Sequence, residues 1–284
     1  MQEMFCFQCQ QTAHNTGCNG KAGVCGKKAD TANYQDELLG ALVGLARAVQ
    51  AGTATERTDE LMLKGLFTTI TNVNFNNETI LQIKNEIEKE KAAVSPAHYD
   101  DYDMAGLWRA EEDVRSLKSL ILFGLKGMAA YAYHARVLGR TDPAVNRWFY
   151  EALAAIGEEK NTDELLQLVL KTGEVNLACM ALLDAANTET YGDPVPTTVP
   201  LTIEKGPFIV VSGHDLHDLQ LLLEQTAGKG INIYTHGEML PAHGYPELKK
   251  YPHLKGNFGT GWQNQQTEFH NIPAPILFTT NCLM

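Results

Sequence analysis

Four cysteines near the start of the chain have a spacing that suits a metal centre. Cys6, Cys9, Cys18 and Cys25 form the pattern C-x2-C-x8-C-x6-C, and glycines between residues 17 and 26 provide the backbone freedom of a tight loop. The segment has few large apolar side chains, so these thiols do not belong to a hydrophobic core. We expect a bound metal to supply the folding energy of the loop instead.

The spacing favours an iron–sulfur cluster over zinc. A structural zinc site prefers two C-x2-C pairs, and only Cys6 and Cys9 form one here. Iron–sulfur clusters tolerate a looser second pair. Zinc therefore remains an alternative, and a disulfide or free thiols are a third one.

A second set of potential ligands follows three apolar runs in the last third of the chain. The runs are rich in Ile, Val, Leu and aromatic residues and are typical of buried strands: 208–214, 231–238 and 275–282. Leucines at helical spacing after residue 215 predict a crossover helix, which makes the strands parallel. Because ligands collect at the carboxyl ends of parallel strands, we expect a site at this edge.

The side chains at those strand ends are His214, Glu238 and Cys282. A mixed set of nitrogen, oxygen and sulfur ligands suits iron better than magnesium or calcium, which bind oxygen. The alternative is that they are three unrelated loop residues.

The whole chain has the composition of a globular protein with room for two domains. It contains 284 residues with a net charge of −11, which argues against nucleic acid or an anionic membrane as partner. No apolar run reaches the roughly 18 residues of a membrane span. The N-terminus lacks the pattern of a signal peptide, so we expect a cytoplasmic protein with reduced thiols.

Helical periodicity runs from about residue 34 to residue 187 and predicts six or seven helices in a bundle. Asp142-Pro143 and Asn161–Glu164 have the features of helix starts, and Cys179 lies on an apolar face, where it is expected to pack in the core. Prolines between residues 194 and 200 indicate a stiff connector. The predicted fold class is multidomain α and α/β: residues 1–203 form a helical bundle with an Fe–S loop, and residues 204–284 begin a Rossmann-like parallel α/β domain.

Five segments resemble the hybrid-cluster protein family, also called prismane or hydroxylamine reductase. They are MFCFQCQQTA (4–13), KTGEVNL (171–177), VSGHDL (211–216), YTHGEMLPAHGY (234–245) and TTNC (279–282). The resemblance implies a [4Fe-4S] cluster on the four N-terminal cysteines, with [2Fe-2S] as the alternative. It also implies a hybrid [4Fe-2O-2S] cluster, because His214, Glu238 and Cys282 match three of the family's ligands to that cluster.

The resemblance covers only part of a family member. The hybrid cluster also requires a second glutamate and three further cysteines from a C-terminal half about as long as this chain. The sequence stops two residues after Cys282. We therefore expect it to correspond to the first half, and this half alone to be inactive.

The resemblance implies the two-electron reduction of hydroxylamine to ammonia and water, with nitric oxide as another substrate and a redox protein as electron donor. His236 and His243 flank Glu238 and are candidate proton donors, since histidine titrates near neutral pH. Their alternative role is loop hydrogen bonding. The competing function is a non-catalytic Fe–S or zinc-binding module for electron transfer or docking. A nucleotide-binding site is disfavoured, because the loop at Gly213 has a single glycine.

Overall fold

The computed structural model describes residues 3–9, 12–71 and 73–280. The chain divides into two compact units. The first unit is Met1–Arg136 with Arg140–Leu183, and the second is Val137–Gly139 with Asp184–Met284. The division therefore falls earlier than the boundary predicted near Ile203. It does so because Tyr191, at the end of the last long helix, is buried in the core of the second unit.

Seven α-helices follow one another in the described part of the first unit, and the last continues into the second. They are α1 (Ala29–Ala51), α2 (Glu56–Thr68), α3 (Asn77–Val94), α4 (Met104–Trp108), α5 (Glu112–Val137), α6 (Pro143–Ile156) and α7 (Thr162–Tyr191). The predicted starts are confirmed. Asp142 accepts a hydrogen bond from the backbone of Ala144 at 2.7 Å. Asn161 and Glu164 cap α7 reciprocally, each accepting from the other's backbone N–H at 2.9 Å.

The apolar stripe of α1 forms the centre of the first unit's core. Leu38, Leu42 and Leu45 are fully buried, and α1 packs chiefly against α3 and α6. Cys179 is also fully buried in this core, which confirms the prediction that it packs there. Burial raises the pKa of the Cys179 thiol to about 12, so the thiol stays protonated at neutral pH.

A two-stranded antiparallel sheet precedes α1. Its strands are β1 (Met4–Cys6) and β2 (Cys18–Gly20), and a 3-10 turn, Ala13–Asn15, lies between them.

The second unit contains a parallel sheet of four strands in the described residues. Its elements are β3 (Phe208–Ser212), α8 (Leu216–Thr226), β4 (Asn232–His236), a 3-10 helix (Gly237–Gly244), α9 (Pro246–Lys249), β5 (Leu254–Asn257), a 3-10 turn (Trp262–Asn264), α10 (Gln265–Glu268) and β6 (Ile276–Phe278). The strand order is β5-β4-β3-β6, and all pairs are parallel. The three predicted strands and the crossover helix after residue 215 are present.

Strand β5 was not predicted, because Leu-Lys-Gly-Asn has no apolar pattern. Its position depends on the proline-rich connector. Asn257 N donates to Pro200 O at 2.9 Å, and a Cβ on Gly256 would collide with the same carbonyl. Only glycine allows the connector to approach β5 this closely.

Helix α7 is long and apolar enough to cross a membrane, judged by length and composition alone. One such helix is weak evidence, because helices of soluble proteins meet the same criteria. The expectation that the protein has no membrane partner therefore stays a prediction.

Candidate metal centres

Strand pairing brings two of the N-terminal cysteines together. Cys6 lies directly opposite Cys18 in the register of β1 and β2. The turn with Cys9 is tied to the same strand, because Thr12 Oγ1 donates to Cys6 O at 3.0 Å and Thr12 N donates to Cys9 O at 3.1 Å. Cys25 lies in the turn that follows β2, and this turn is closed by a hydrogen bond from Gly23 N to Lys27 O of 2.8 Å.

The surroundings of Cys18 favour its thiolate. Burial alone would raise the pKa of this thiol. Hydrogen bonds from the backbone of Val24 and Ala13 and from the side chain of Thr12, together with the charge of Lys27, lower the pKa overall. Thiolate is the form that binds metal, so the loop chemistry fits an iron–sulfur or zinc site.

The four thiols do not form a site for a single metal ion. Within residues 3–9, 12–71 and 73–280, no group of three or more His, Cys, Asp or Glu side chains is close enough to hold a metal ion. No disulfide joins these four cysteines. The donor set and the thiolate chemistry fit a cluster.

Sequence reasoning missed two buried lysines beneath this loop, Lys27 and Lys126. The signal for Lys126 was its place on the buried face of α5, four residues after Leu122 and one after Leu125. A lysine at that position must find polar partners inside the protein.

The second candidate site lies at the carboxyl edge of the parallel sheet. Ser212 pairs with His236 on one side and with Phe278 on the other, so β3, β4 and β6 end together. His214 and Glu238 each lie two residues past their strand end, and both are exposed. Cys282 lies outside the described residues.

His214 is held in a defined orientation. Its Nδ1 lies 3.1 Å from Thr280 O, and because a carbonyl only accepts, Nδ1 carries the proton. The lone pair of the neutral ring is then on Nε2, an arrangement common in metal-binding histidines. Gly213 makes this possible: its φ is +111°, and a Cβ there would lie 2.8 Å from Thr280 O and collide with Thr279 Oγ1.

The two candidate proton donors, His236 and His243, are buried, whereas His214 and Glu238 are exposed. His236 is fully buried, with Nδ1 at 3.0 Å from Ser212 Oγ and Nε2 at 3.1 Å from Glu268 Oε2. His243 Nε2 lies 2.9 Å from Thr235 Oγ1, and burial lowers the pKa of His243, which favours the neutral ring. Their roles as proton donors stay predictions.

Glu268 was also missed, because nothing in its sequence context marks it. Burial alone would raise the pKa of this carboxyl, but hydrogen bonds from Thr260 and His236 lower it overall. Polar contacts therefore connect Ser212, at the end of β3, through His236 to Glu268.

Comparisons with known proteins agree with the sequence motifs. Hydroxylamine reductase of Solidesulfovibrio magneticus is 52% identical over 309 aligned residues, covering 99% of this chain and 57% of the relative. Hydroxylamine reductase of Methanocella arvoryzae is 48% identical, covering 99% of this chain and 58% of the relative. The chain thus spans somewhat more than half the length of these relatives, which confirms the expected correspondence to the first half.

Among solved structures, carbon monoxide dehydrogenase IV from Carboxydothermus hydrogenoformans is 16% identical, covering 99% of this chain and 46% of its own, with a TM-score of 0.37. That likeness is too low to support a shared architecture. The Prismane/CO dehydrogenase family model matches residues 4–284. With motifs, relatives and family model in agreement, the chain belongs to the Prismane/CO dehydrogenase family.

Proposed function

We propose that this chain provides the N-terminal part of an iron–sulfur oxidoreductase that reduces hydroxylamine to ammonia and water. One observation carries the proposal. The family match over residues 4–284 includes every candidate ligand from Cys6 to Cys282, and relatives about half identical to the chain are named hydroxylamine reductase. Nitric oxide is an alternative small nitrogenous substrate.

At the N-terminus, Cys6, Cys9, Cys18 and Cys25 would hold a [4Fe-4S] cluster, with [2Fe-2S] as the alternative. When bound, such a cluster accepts and passes on single electrons, here from a donor protein. The lowered pKa of Cys18 and its position opposite Cys6 support this assignment.

At the sheet edge, His214, Glu238 and Cys282 would supply three ligands of a hybrid [4Fe-2O-2S] cluster. The remaining ligands would come from the part of the relatives that this chain does not span. The aligned ends of β3, β4 and β6 and the orientation of His214 support this assignment. Glu238 would supply the hard oxygen donor of this set, and the cluster, when bound, would supply the iron at which the substrate reacts.

His236 and His243 would donate protons for the cleavage of the N–O bond, and the lowered pKa of His243 would make its protonated ring the stronger acid. His236 has partners on both ring nitrogens, Ser212 and Glu268, which fix its ring and connect it to a carboxyl. We also propose that the parallel sheet is the first part of a Rossmann-like domain, which the order β5-β4-β3-β6 and the crossover helix α8 support.

A non-catalytic module for electron transfer or docking is the second candidate. It is favoured by the partial coverage of the relatives. In that case, the protein would bind iron or zinc at the N-terminal cysteines without hydroxylamine turnover.

The substitution Glu238→Gln in the full-length protein tests the enzymatic proposal. We expect ammonia formation from hydroxylamine, with reduced viologen as electron source, to fall more than about 100-fold, beyond the range typical of groups around the ligands. The control is Glu247→Gln, because Glu247 is exposed on α9 and pairs only with Lys250 among the described side chains. Unchanged turnover in Glu238→Gln with an intact iron absorption spectrum would remove Glu238 from the ligand set.

A further inference from the structure

A small positively charged pocket lies beneath the N-terminal cysteine loop. Lys126 on α5 is 6% exposed and Lys27, two residues after Cys25, is 3% exposed. The cavity between them measures about 20 Å³, is lined also by Cys6 and Asp36, and has room for a single water molecule. Burying an ammonium group is costly unless it is compensated, so two buried lysines in one place require an explanation.

Lys126 connects the cysteine loop to the helical body of the unit. Its Nζ donates to Gln8 Oε1 at 3.1 Å and to Thr69 O at 3.2 Å, at the end of α2. Gln8 lies between Cys6 and Cys9, and its own Nε2 donates to Thr69 O at 3.5 Å. Lys126 thereby fixes the side chain of one of the two residues between the candidate ligands Cys6 and Cys9.

The charges around the pocket do not cancel. Lys27 Nζ donates to the neutral amide of Gln35 at 2.6 Å, and neither lysine is within 4.0 Å of a carboxylate among the described residues. The carboxyl that faces both is Asp36 on α1, to which Trp108 Nε1 donates at 3.1 Å. Two ammonium groups therefore face one carboxyl.

The pKa values of Asp36 and Lys126 preserve this imbalance at neutral pH. Burial raises the pKa of Asp36 to about 6, against the opposing effects of Trp108, Lys126 and Lys27. Burial lowers the pKa of Lys126 to about 8, against the attraction of Asp36 and Cys6. Near pH 7 Lys126 is thus still largely protonated, and Asp36 offsets at most one positive charge.

We propose that Lys126 is a positioning residue for the N-terminal cysteines, which holds the Cys6–Cys9 turn through Gln8 and whose charge favours the one-electron reduction of a cluster bound there. This inference rests on the proposed iron–sulfur function. Reduction adds one negative charge to the cluster. A cation in low-dielectric surroundings stabilises that charge far more than a cation in water would.

Two substitutions separate the two parts of this role. Lys126→Gln keeps a hydrogen-bonding group near Gln8 and removes the charge. Lys126→Met removes both, and a buried apolar side chain is generally tolerated where a charge stood. Lys118→Gln is the matched control, because Lys118 is the other buried lysine of α5 and donates to Ile156 O and Glu158 O, each at 2.7 Å. It lies eight residues before Lys126, about 12 Å along the helix axis.

The test measures iron, acid-labile sulfide and the midpoint potential of the full-length protein, purified without oxygen. The N-terminal centre is identified as the EPR signal that Cys18→Ala removes, and it is titrated with a chemical reductant. We expect Lys126→Gln to keep its iron and sulfide and to show a more negative midpoint potential than the wild type. Lys118→Gln should have the wild-type potential, and Lys126→Met should combine a more negative potential with lower iron content.

A substitution of Asp36 keeps the inference testable if the Lys126 variants fold poorly. Asp36→Asn removes the offsetting carboxyl and should shift the midpoint potential in the positive direction. Equal potentials in the wild type, Lys126→Gln and Asp36→Asn, with iron present in all three, would overturn the inference and leave the proposed function standing. A wild-type protein without iron and sulfide would overturn both.

Discussion

The two candidate metal centres obtain their donors in opposite ways. The N-terminal centre takes four donors of one kind from a single loop between Cys6 and Cys25, held by a short antiparallel sheet. The sheet edge takes donors of different kinds from the ends of separate strands, and its described members, His214 and Glu238, are exposed. A local loop of thiolates suits a stable electron-transfer site, whereas a mixed, open edge suits a site that exchanges a ligand for substrate.

The surroundings of the two centres also differ in charge. The cysteine loop lies over two buried ammonium groups, Lys27 and Lys126, which favour negative charge above them. The sheet edge lies next to hydrogen bonds that connect Ser212 through His236 to Glu268. The proposed roles, electron transfer at the cysteine loop and proton supply at the sheet edge, would call for such different surroundings.

Among the substitutions that test this comparison, we expect Gly213→Ala to have the largest effect on stability. The new Cβ would meet Thr279 and Thr280 at a φ of +111°, so we expect a loss of about 3 kcal/mol or more in the free energy of unfolding of the second unit. Gly228→Ala is the control, because Gly228 also has a positive φ, +71°, but open space around it, and should cost about 1 kcal/mol. Urea unfolding measures both.

The same two variants also test whether the sheet edge can be disturbed without affecting the N-terminal loop. Gly213→Ala should disturb the sheet edge and leave iron bound at the N-terminal loop unchanged, because the atoms nearest to its new Cβ belong to Thr279 and Thr280. If Gly213→Ala is as stable as Gly228→Ala, the close contact between the ends of β3 and β6 is not what holds the edge together.

A smaller effect is expected from Glu268→Gln. The pKa of Glu268 is lowered in the folded state from its ordinary value of 4.5, so its carboxylate contributes stability that is present above pH 4.5 and is lost as the pH falls below it. The variant lacks this contribution. Its free energy of unfolding should therefore fall less than that of the wild type between about pH 5 and about pH 3. An identical acid dependence in both proteins would show that the contacts of Glu268 do not stabilise its ionised form.

Local signals in the sequence predicted much of this molecule. The apolar stripe of α1, the caps at Asp142 and Asn161 and the three apolar strands are all patterns within a few residues, and the structure contains each of them. The cysteine spacing is also a local pattern, and the cluster that it predicts stays a prediction. The positions of His214 and Glu238 also followed, since parallel strands end at a common edge. Whether these residues bind metal stays a prediction.

The features that were missed depend on contacts distant in sequence. Strand β5 pairs with β4 and accommodates the connector at Pro200, and the unit boundary falls inside α7 because Tyr191 packs into the second unit. The partners of Lys126 lie 118 and 57 residues away along the chain. Spacing rules describe neighbours in sequence, so they carry no information on such pairs.

The central claim is that the N-terminal cysteines hold an iron–sulfur cluster. Iron and acid-labile sulfide per chain, measured in anaerobically purified wild type, Cys18→Ala and Cys179→Ala, test it most directly. We predict that Cys18→Ala loses about four iron and four sulfide relative to the wild type, and that Cys179→Ala, which alters only the core, keeps both. One zinc per chain without visible absorbance, or an unchanged iron content in Cys18→Ala, would contradict the account.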